Sequence, residues 1–281
     1  MTLHRSLAAP LLAAVLALFA TAPTHAGFSD RPGDFDYYAL VLSWSPSFCL
    51  AQDGAHASDP QCSARRPYAF VVHGLWPQYD KGWPSNCGAG NEPRVPRQIV
   101  DDVIDAIPTE KLMNHEWQTH GTCSGLTVGN YFGLARALYK GISIPPKYAN
   151  LTAPLEVTVP DLRSDLLRAN PQLQSSMIAV DCESNGRLRE IHFCYAKDGK
   201  PAACGRNEVQ GKMCRTDLVT LPPVRGVGLN GGVAGVTSPS NNPSANDQSS
   251  NPDNQAHYKK HHKKHWYNGI FQRGPLIGRA Q

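Results

Sequence analysis

The amino-acid sequence predicts an α+β protein on three observations. Residues 37–44 and 68–75 are apolar stretches rich in Val, Leu and aromatics, and they read as buried strands. Residues 177–182 and 187–195 form a second pair of strands around Ser184-Asn185-Gly186, where Asn-Gly is a strong hairpin signal. Helical periodicity lies between these strands without regular alternation, which argues against a repeated βαβ unit.

Along the chain, each element has its own local cause. Arg5, the apolar run Leu7–Ala20 and the small residues Thr24-His25-Ala26 before Gly27 have the order of a secretory signal peptide, residues 1–26. Thr21, Pro23 and His25 interrupt that run before it reaches the roughly 20 apolar residues of a membrane span, so no anchor is expected once the signal is removed. The two strands 37–44 and 68–75 follow. Pro96–Ile107 places Val100, Val103, Ile104 and Ile107 on one helical face, with a first turn that tolerates the proline. A helix is expected from an N-cap at Thr109 to a stop at Gly121, and others over 128–140 and 161–169, before the hairpin. His192, within that hairpin, reads as a structural residue.

Residues 27–223 suffice for one domain, and a hydrophobic fraction of 41% is ordinary for a globular chain. After Leu221-Pro222-Pro223 the composition turns to Gly, Ser, Asn, Pro and Asp, which cannot bury enough surface to offset ordering entropy. A flexible linker is therefore expected over 224–256. A basic tail with clustered His, Lys and aromatics follows over 257–281, and it has three readings: an electrostatic tether for RNA, a divalent-metal binder, or a solvated tail. The net charge of +4 makes any attraction to polyanions local and salt-sensitive.

The chemistry concentrates in two segments. One reads Phe70-Val71-Val72-His73-Gly74-Leu75-Trp76-Pro77, the other His115-Glu116-Trp117-Gln118-Thr119-His120-Gly121-Thr122-Cys123. Imidazoles exchange protons near neutrality, so two that converge can serve as acid and base in one reaction. A zinc site is the first alternative, because helical H-E-x-x-H presents two histidines one turn apart. Here the spacing is one residue longer: His115 and His120 lie about 140° apart around a helix, whereas Glu116 and His120 share a face. That favours a carboxylate beside a catalytic imidazole over a pair of metal ligands.

These segments resemble the two active-site segments of the ribonuclease T2 family, and Leu42-Ser43-Trp44-Ser45-Pro46-Ser47-Phe48-Cys49 resembles its first core strand. The resemblance runs from about Phe35 to about Pro223. It implies a central antiparallel sheet with packed helices, a metal-independent endoribonuclease, and a product with a 2′,3′-cyclic phosphate. It makes His120 the general base, His73 the general acid, His115 a phosphate ligand and Glu116 a stabiliser of the phosphorane. Trp76 and Gln78 would face the base, where some relatives carry Asp in place of Gln78, so weak base preference is expected; Tyr79 and Trp83 are further aromatic candidates. Many members carry Lys where this chain has Thr119, which removes a cation from the phosphate. The 2′-hydroxyl as internal nucleophile restricts the substrate to RNA and excludes DNA.

Eight cysteines in an exported chain read as a disulfide framework, and no C-x-x-C occurs to suggest zinc. Many pairings are open to eight cysteines. The resemblance implies Cys49 with Cys62, Cys87 with Cys123, Cys182 with Cys214, and Cys194 with Cys204. A secreted or periplasmic monomer that acts on RNA without a cofactor is the expectation. Two other function classes are a zinc hydrolase, and an exported non-catalytic RNA- or surface-binding protein on the same scaffold; the presence of both His73 and His120 argues against the second.

Overall fold

The computed structural model describes residues 31–51, 59–63, 66–88 and 93–224. The expected signal peptide, all of the linker beyond residue 224 and the basic tail lie outside the described residues. In chain order the elements are β1 (Tyr37–Trp44), α1 (Ser45–Leu50), β2 (Phe70–Gln78), α2 (Arg97–Val103), α3 (Glu110–Thr119) and α4 (Val128–Lys140). There follow α5 (Pro146–Ala149), β3 (Leu155–Thr158), α6 (Val159–Ala169), β4 (Ile178–Cys182), β5 (Leu188–Tyr195), α7 (Gln210–Met213) and β6 (Leu218–Leu221).

Four strands form one antiparallel sheet in the order β2-β1-β5-β4, and β3 pairs with β6 in a second, two-stranded sheet. The α+β architecture expected from the sequence is the one observed. Pleating sorts the side chains of the main sheet. Leu40 and Leu42 of β1 stand opposite Phe193 and Ile191 of β5, and these join Val100, Met113, Tyr131, Phe132 and Leu162 of the helices in one core. On the opposite pleat Val41 and Ser43 stand across from His192 and Glu190. Small residues on β1 leave room there for ionisable side chains on β5.

Several boundaries differ from expectation for local reasons. β2 runs on to Gln78 through Pro77, which lacks a donor; it is tolerated because β2 is the edge strand. α2 closes at Val103, where Ala106 and Ile107 both turn back to the Val103 carbonyl (2.9 Å each), since Pro108 disfavours helix in the residue before it. Thr109 caps α3 by accepting the Leu112 amide at 3.1 Å, and Thr127 and Thr158 cap α4 and α6 in the same manner. β3 and β6 were not apparent in the sequence, because four-residue strands carry too few alternations to register. The Ser184-Asn185-Gly186 turn joins β4 to β5 with Gly186 at φ +82°, a conformation that glycine adopts at no steric cost.

All four implied disulfides are present: Cys49–Cys62, Cys87–Cys123, Cys182–Cys214 and Cys194–Cys204. Cys87–Cys123 ties the loop after β2 to the turn that follows α3, with the Asn86 amide donating to the Thr119 carbonyl at 2.9 Å beside it. The two segments that carry the histidines are thus covalently joined. Among the described residues no helix is long and apolar enough to cross a membrane.

Candidate active site

A break in the strand ladder builds the site. Val41 pairs with Gly74, but the next residue, Leu42, pairs with Val72, so His73 is an extra residue in β2 with no partner on β1. Such a bulge bends the strand and re-aims the side chain it carries. Val72 donates its amide to Ala106, in the turn after α2, at 3.0 Å, which satisfies a donor freed near the bulge.

His73 lies between two carboxylates from distant parts of the chain. Its Nδ1 is 2.5 Å from Glu190 Oε1, and its Nε2 is 3.7 Å from Glu116 Oε1. Glu116 sits on α3, which packs against β2, and its carboxylate rests directly on Gly74. The Trp76 indole donates to Glu116 Oε2 at 2.8 Å, stacks on the His120 ring at 5.1 Å between centroids, and meets His73 edge-on at 5.1 Å. His120 is the first residue past the last turn of α3; it donates its amide to the Glu116 carbonyl at 2.9 Å, so the expected one-turn relation between the two residues holds. His115 is half-buried on α3, with Thr119 Oγ1 3.4 Å from its Nε2.

The fold therefore gathers His73, Glu116, His120 and Trp76 into one cluster, with His115 beside it. Gln78 is placed differently. It is buried at the end of β2 and its amide oxygen accepts from Asn207 Nδ2 at 2.8 Å, part of a net in which Asn207 also bonds the Tyr79 and Gly82 carbonyls. Tyr79 is buried and Trp83 half-buried.

Glu190 and His192 are the residues that the sequence reading missed as part of the site. Ser43 Oγ donates to Glu190 Oε1 at 3.0 Å, His192 Nε2 lies 3.6 Å from Glu190 Oε2, and His192 Nδ1 lies 3.5 Å from Glu208 Oε1. Tyr37 donates to Glu208 in turn. The available signal was an E-x-H alternation against Ile191 and Phe193: two ionisable residues on one pleat of a strand that is otherwise apolar.

Burial and charge push the groups apart. Burial alone would lower the His73 imidazole, but the Glu190 carboxylate, and then Glu116, outweigh it and raise His73 above its ordinary value. His120 has burial acting with the charges of His115 and His73, and is held well below its ordinary value. Burial and His73 bring His115 down to about 4. Burial lifts Glu116 to about 7 against the opposing pull of His73 and Trp76. His192 would be lowered by burial, but Glu190 and Glu208 raise it to about 9. Glu190, which burial would raise, is held well below the carboxylate range by His73, His192 and Arg189.

The same geometry bears on metal binding. Asp181, Glu190 and His192 bring oxygen and nitrogen atoms within 4.8 Å of one another. Arg189 already pairs with Asp181, while His73 and Ser43 occupy Glu190, so the charges balance without an ion. Cys194 and Cys204 are spent on a disulfide.

Two imidazoles of opposed proton affinity around a buried carboxylate are an arrangement suited to acid–base chemistry. The chain matches the model of the ribonuclease T2 family over residues 35–204, and it belongs to that family; it is an endoribonuclease of the metal-independent T2 type. It is 33% identical over 186 residues to a ribonuclease of Aeromonas hydrophila, a span of 63% of this chain and 80% of that protein. A probable ribonuclease of Haemophilus influenzae is 29% identical over 180 residues, which is 60% of this chain and 61% of the relative. Among solved structures, an RNase-related protein from Calystegia sepium superposes with a TM-score of 0.53 at 22% identity, over 68% of this chain and 98% of that one. Trichomaglin, described as a novel S-like ribonuclease, does so with 0.55 at 21% identity, over 68% and 99%. Those two likenesses carry the fold. β6 and Cys214 lie beyond the matched span yet complete the same structure through β3 and Cys182.

Proposed function

We propose that this ribonuclease cleaves single-stranded RNA by intramolecular transesterification, with His120 as general base and His73 as general acid. The opposed proton affinities of the two imidazoles carry this reading: His73 holds its proton to higher pH than His120, which suits His120 to accept a proton and His73 to give one. His120 removes the ribose 2′-hydroxyl proton, and the oxygen attacks phosphorus. As the phosphorus–O5′ bond breaks, His73 Nε2 delivers its proton to the leaving oxygen, leaving a 2′,3′-cyclic phosphate and a 5′-hydroxyl. Glu116, with Oε1 free of hydrogen bonds, and His115 hold the crowded phosphoryl group.

DNA has no 2′-hydroxyl and is not cut. Trp76 and Gln78 remain the base-facing pair in this reading, and with the indole engaged by Glu116 and the amide oxygen by Asn207, discrimination between bases is weak. The N-terminal apolar run and the four disulfides support export to the periplasm or the exterior, with residues 27–223 as the catalytic unit. Action as a monomer is part of this reading.

The test uses the mature protein on RNA and on matched DNA, with and without EDTA. His73→Ala and His120→Ala should each lower kcat/KM on RNA by about 10² to 10⁴-fold. DNA should stay intact and EDTA should have no effect. More than about a tenth of wild-type activity in either variant would remove that histidine from the mechanism.

A further inference from the structure

We propose that Glu190 is a positioning residue for the general acid: its carboxylate, held by Ser43 and backed by His192, accepts the hydrogen bond of the His73 Nδ1–H and so aims a protonated Nε2 at the leaving oxygen. This rests on the reading of His73 as the acid. It adds a residue from the far side of the sheet, 117 positions away in sequence, to a site otherwise drawn from two short segments.

Chemistry sets the tautomer. An ionised carboxylate only accepts hydrogen bonds, so an oxygen 2.5 Å from Nδ1 requires the proton to reside on that nitrogen. Oε1 also accepts from Ser43 at 3.0 Å, which leaves it no freedom to swing away. Behind Oε2 stands His192, its ring nitrogens 3.6 Å from Glu190 Oε2 and 3.5 Å from Glu208 Oε1, so that once protonated it sets a positive charge against the far side of the carboxylate. His73, Glu190, His192, Glu208 and Tyr37 are buried, and Ser43 is half-buried. His120 offers the contrast: its Nδ1 is buried with no hydrogen-bond partner, so the fold pins one imidazole and leaves the other unpinned.

The groups that face His73 are Glu190 and His192 from β5, Glu116 from α3 with His115 and His120 on its flanks, Trp76 from β2 and Ser43 from β1. Glu190 is the one that touches the ring nitrogen directed away from the reaction. During cleavage Nε2 gives its proton to the 5′-oxygen and Nδ1 keeps its own, so His73 ends neutral and Glu190 stays ionised. Hydrolysis of the cyclic phosphate then returns a proton from water to Nε2.

The experiment compares Glu190→Gln with wild type on a dinucleotide and on a uridine 3′-nitrophenyl phosphodiester, whose leaving group needs no protonation. On the dinucleotide, kcat should fall at least tenfold with KM little changed, and the alkaline limb of the pH profile should move down by about one pH unit. On the nitrophenyl ester the defect should shrink to within about threefold, and His73→Ala should show the same contrast. An equal loss on both substrates, or no shift of the alkaline limb, would reduce Glu190 to a structural residue. If His73→Ala keeps its activity on the dinucleotide, the assignment of the acid fails instead, whatever Glu190→Gln does. Should Glu190→Gln not fold, nitrogen NMR of the wild-type His73 ring decides: Nδ1 protonated across the active pH range supports the proposal, and Nδ1 unprotonated overturns it.

Discussion

Replacing Gly74 by Ala tests whether the contact between β2 and α3 sets the catalytic geometry. A methyl group at Gly74 would stand 2.9 Å from Glu116 Cδ and 2.5 Å from Trp76 Nε1, and nearer still to Glu116 Oε2. Carbon atoms in contact settle at about 3.5–4.0 Å, so the carboxylate must retreat by about 1 Å. Glu116 is 0% exposed and has no solvent to retreat into. Overpacking of this kind costs about 1–3 kcal/mol, and the indole-to-carboxylate bond, worth about 1.5–3 kcal/mol, is stretched or lost. With partial relaxation the net is about 2–4 kcal/mol, or a drop in Tm of about 5–15 °C.

The effect on rate should exceed the effect on stability. A displacement near 1 Å of a group that positions substrate can cost about 10²-fold, and Glu116, Trp76 and His120 would move together. The assay is kcat on a dinucleotide together with the thermal midpoint. Gly133→Ala is the matched control, because a methyl there meets nothing within 4 Å on an exposed face of α4, and it should raise stability slightly with kcat unchanged. A Gly74→Ala protein with kcat within threefold of wild type would refute the argument that this close approach fixes Glu116.

Stability should fall as pH rises from 7 to 9. Folded His192 keeps its proton to about pH 9 whereas the unfolded residue loses it near 6.5, and His73 acts in the same direction, so the folded state binds more protons over that window. For His192 alone a loss on the order of 3 kcal/mol is the upper bound, to which His73 adds, and a urea midpoint as high at pH 9 as at pH 7 would contradict the argument. Thr119→Lys should raise kcat about fivefold, the ratio implied by a difference near 1 kcal/mol between neutral and charge-assisted hydrogen bonds to the phosphoryl oxygens. Thr119 now contacts His115 rather than presenting a cation; an unchanged or lower kcat in a folded variant would mean that another cation already serves the phosphate.

What the sequence made legible was local. His73, His115, Glu116 and His120 fall in two short segments, and one-turn helix geometry was enough to place Glu116 beside His120. Thr109 marked the start of α3 by its cap, and Asn185-Gly186 marked the β4–β5 hairpin. The bulge at His73 was not legible, because it exists only in the register of β2 against β1, beside a Val72 amide that is taken by Ala106 from a distant turn. Glu190 was not legible either. Its meeting with His73 requires the strand order β2-β1-β5 and the register that sets Ser43 opposite Glu190, and a single sequence states neither.

The same long-range pairing accounts for the unequal proton affinities on which the proposed acid and base roles rest. Both are buried to a similar extent, 6% exposed for His73 and 7% for His120, so desolvation lowers both and cannot separate them. Separation comes from the carboxylates: two approach His73, while the nearest charges that shift His120 are the other two imidazoles. As an aid to stability the Glu190 cluster is a poor investment, since buried ion networks are often matched or exceeded by apolar packing of the same volume. Ile191 and Phe193, on the opposite pleat, show that β5 accommodates such packing. A strand that alternates Glu190 and His192 with them at that cost holds a charge against His73, and the unequal proton affinities of His73 and His120 are the consequence.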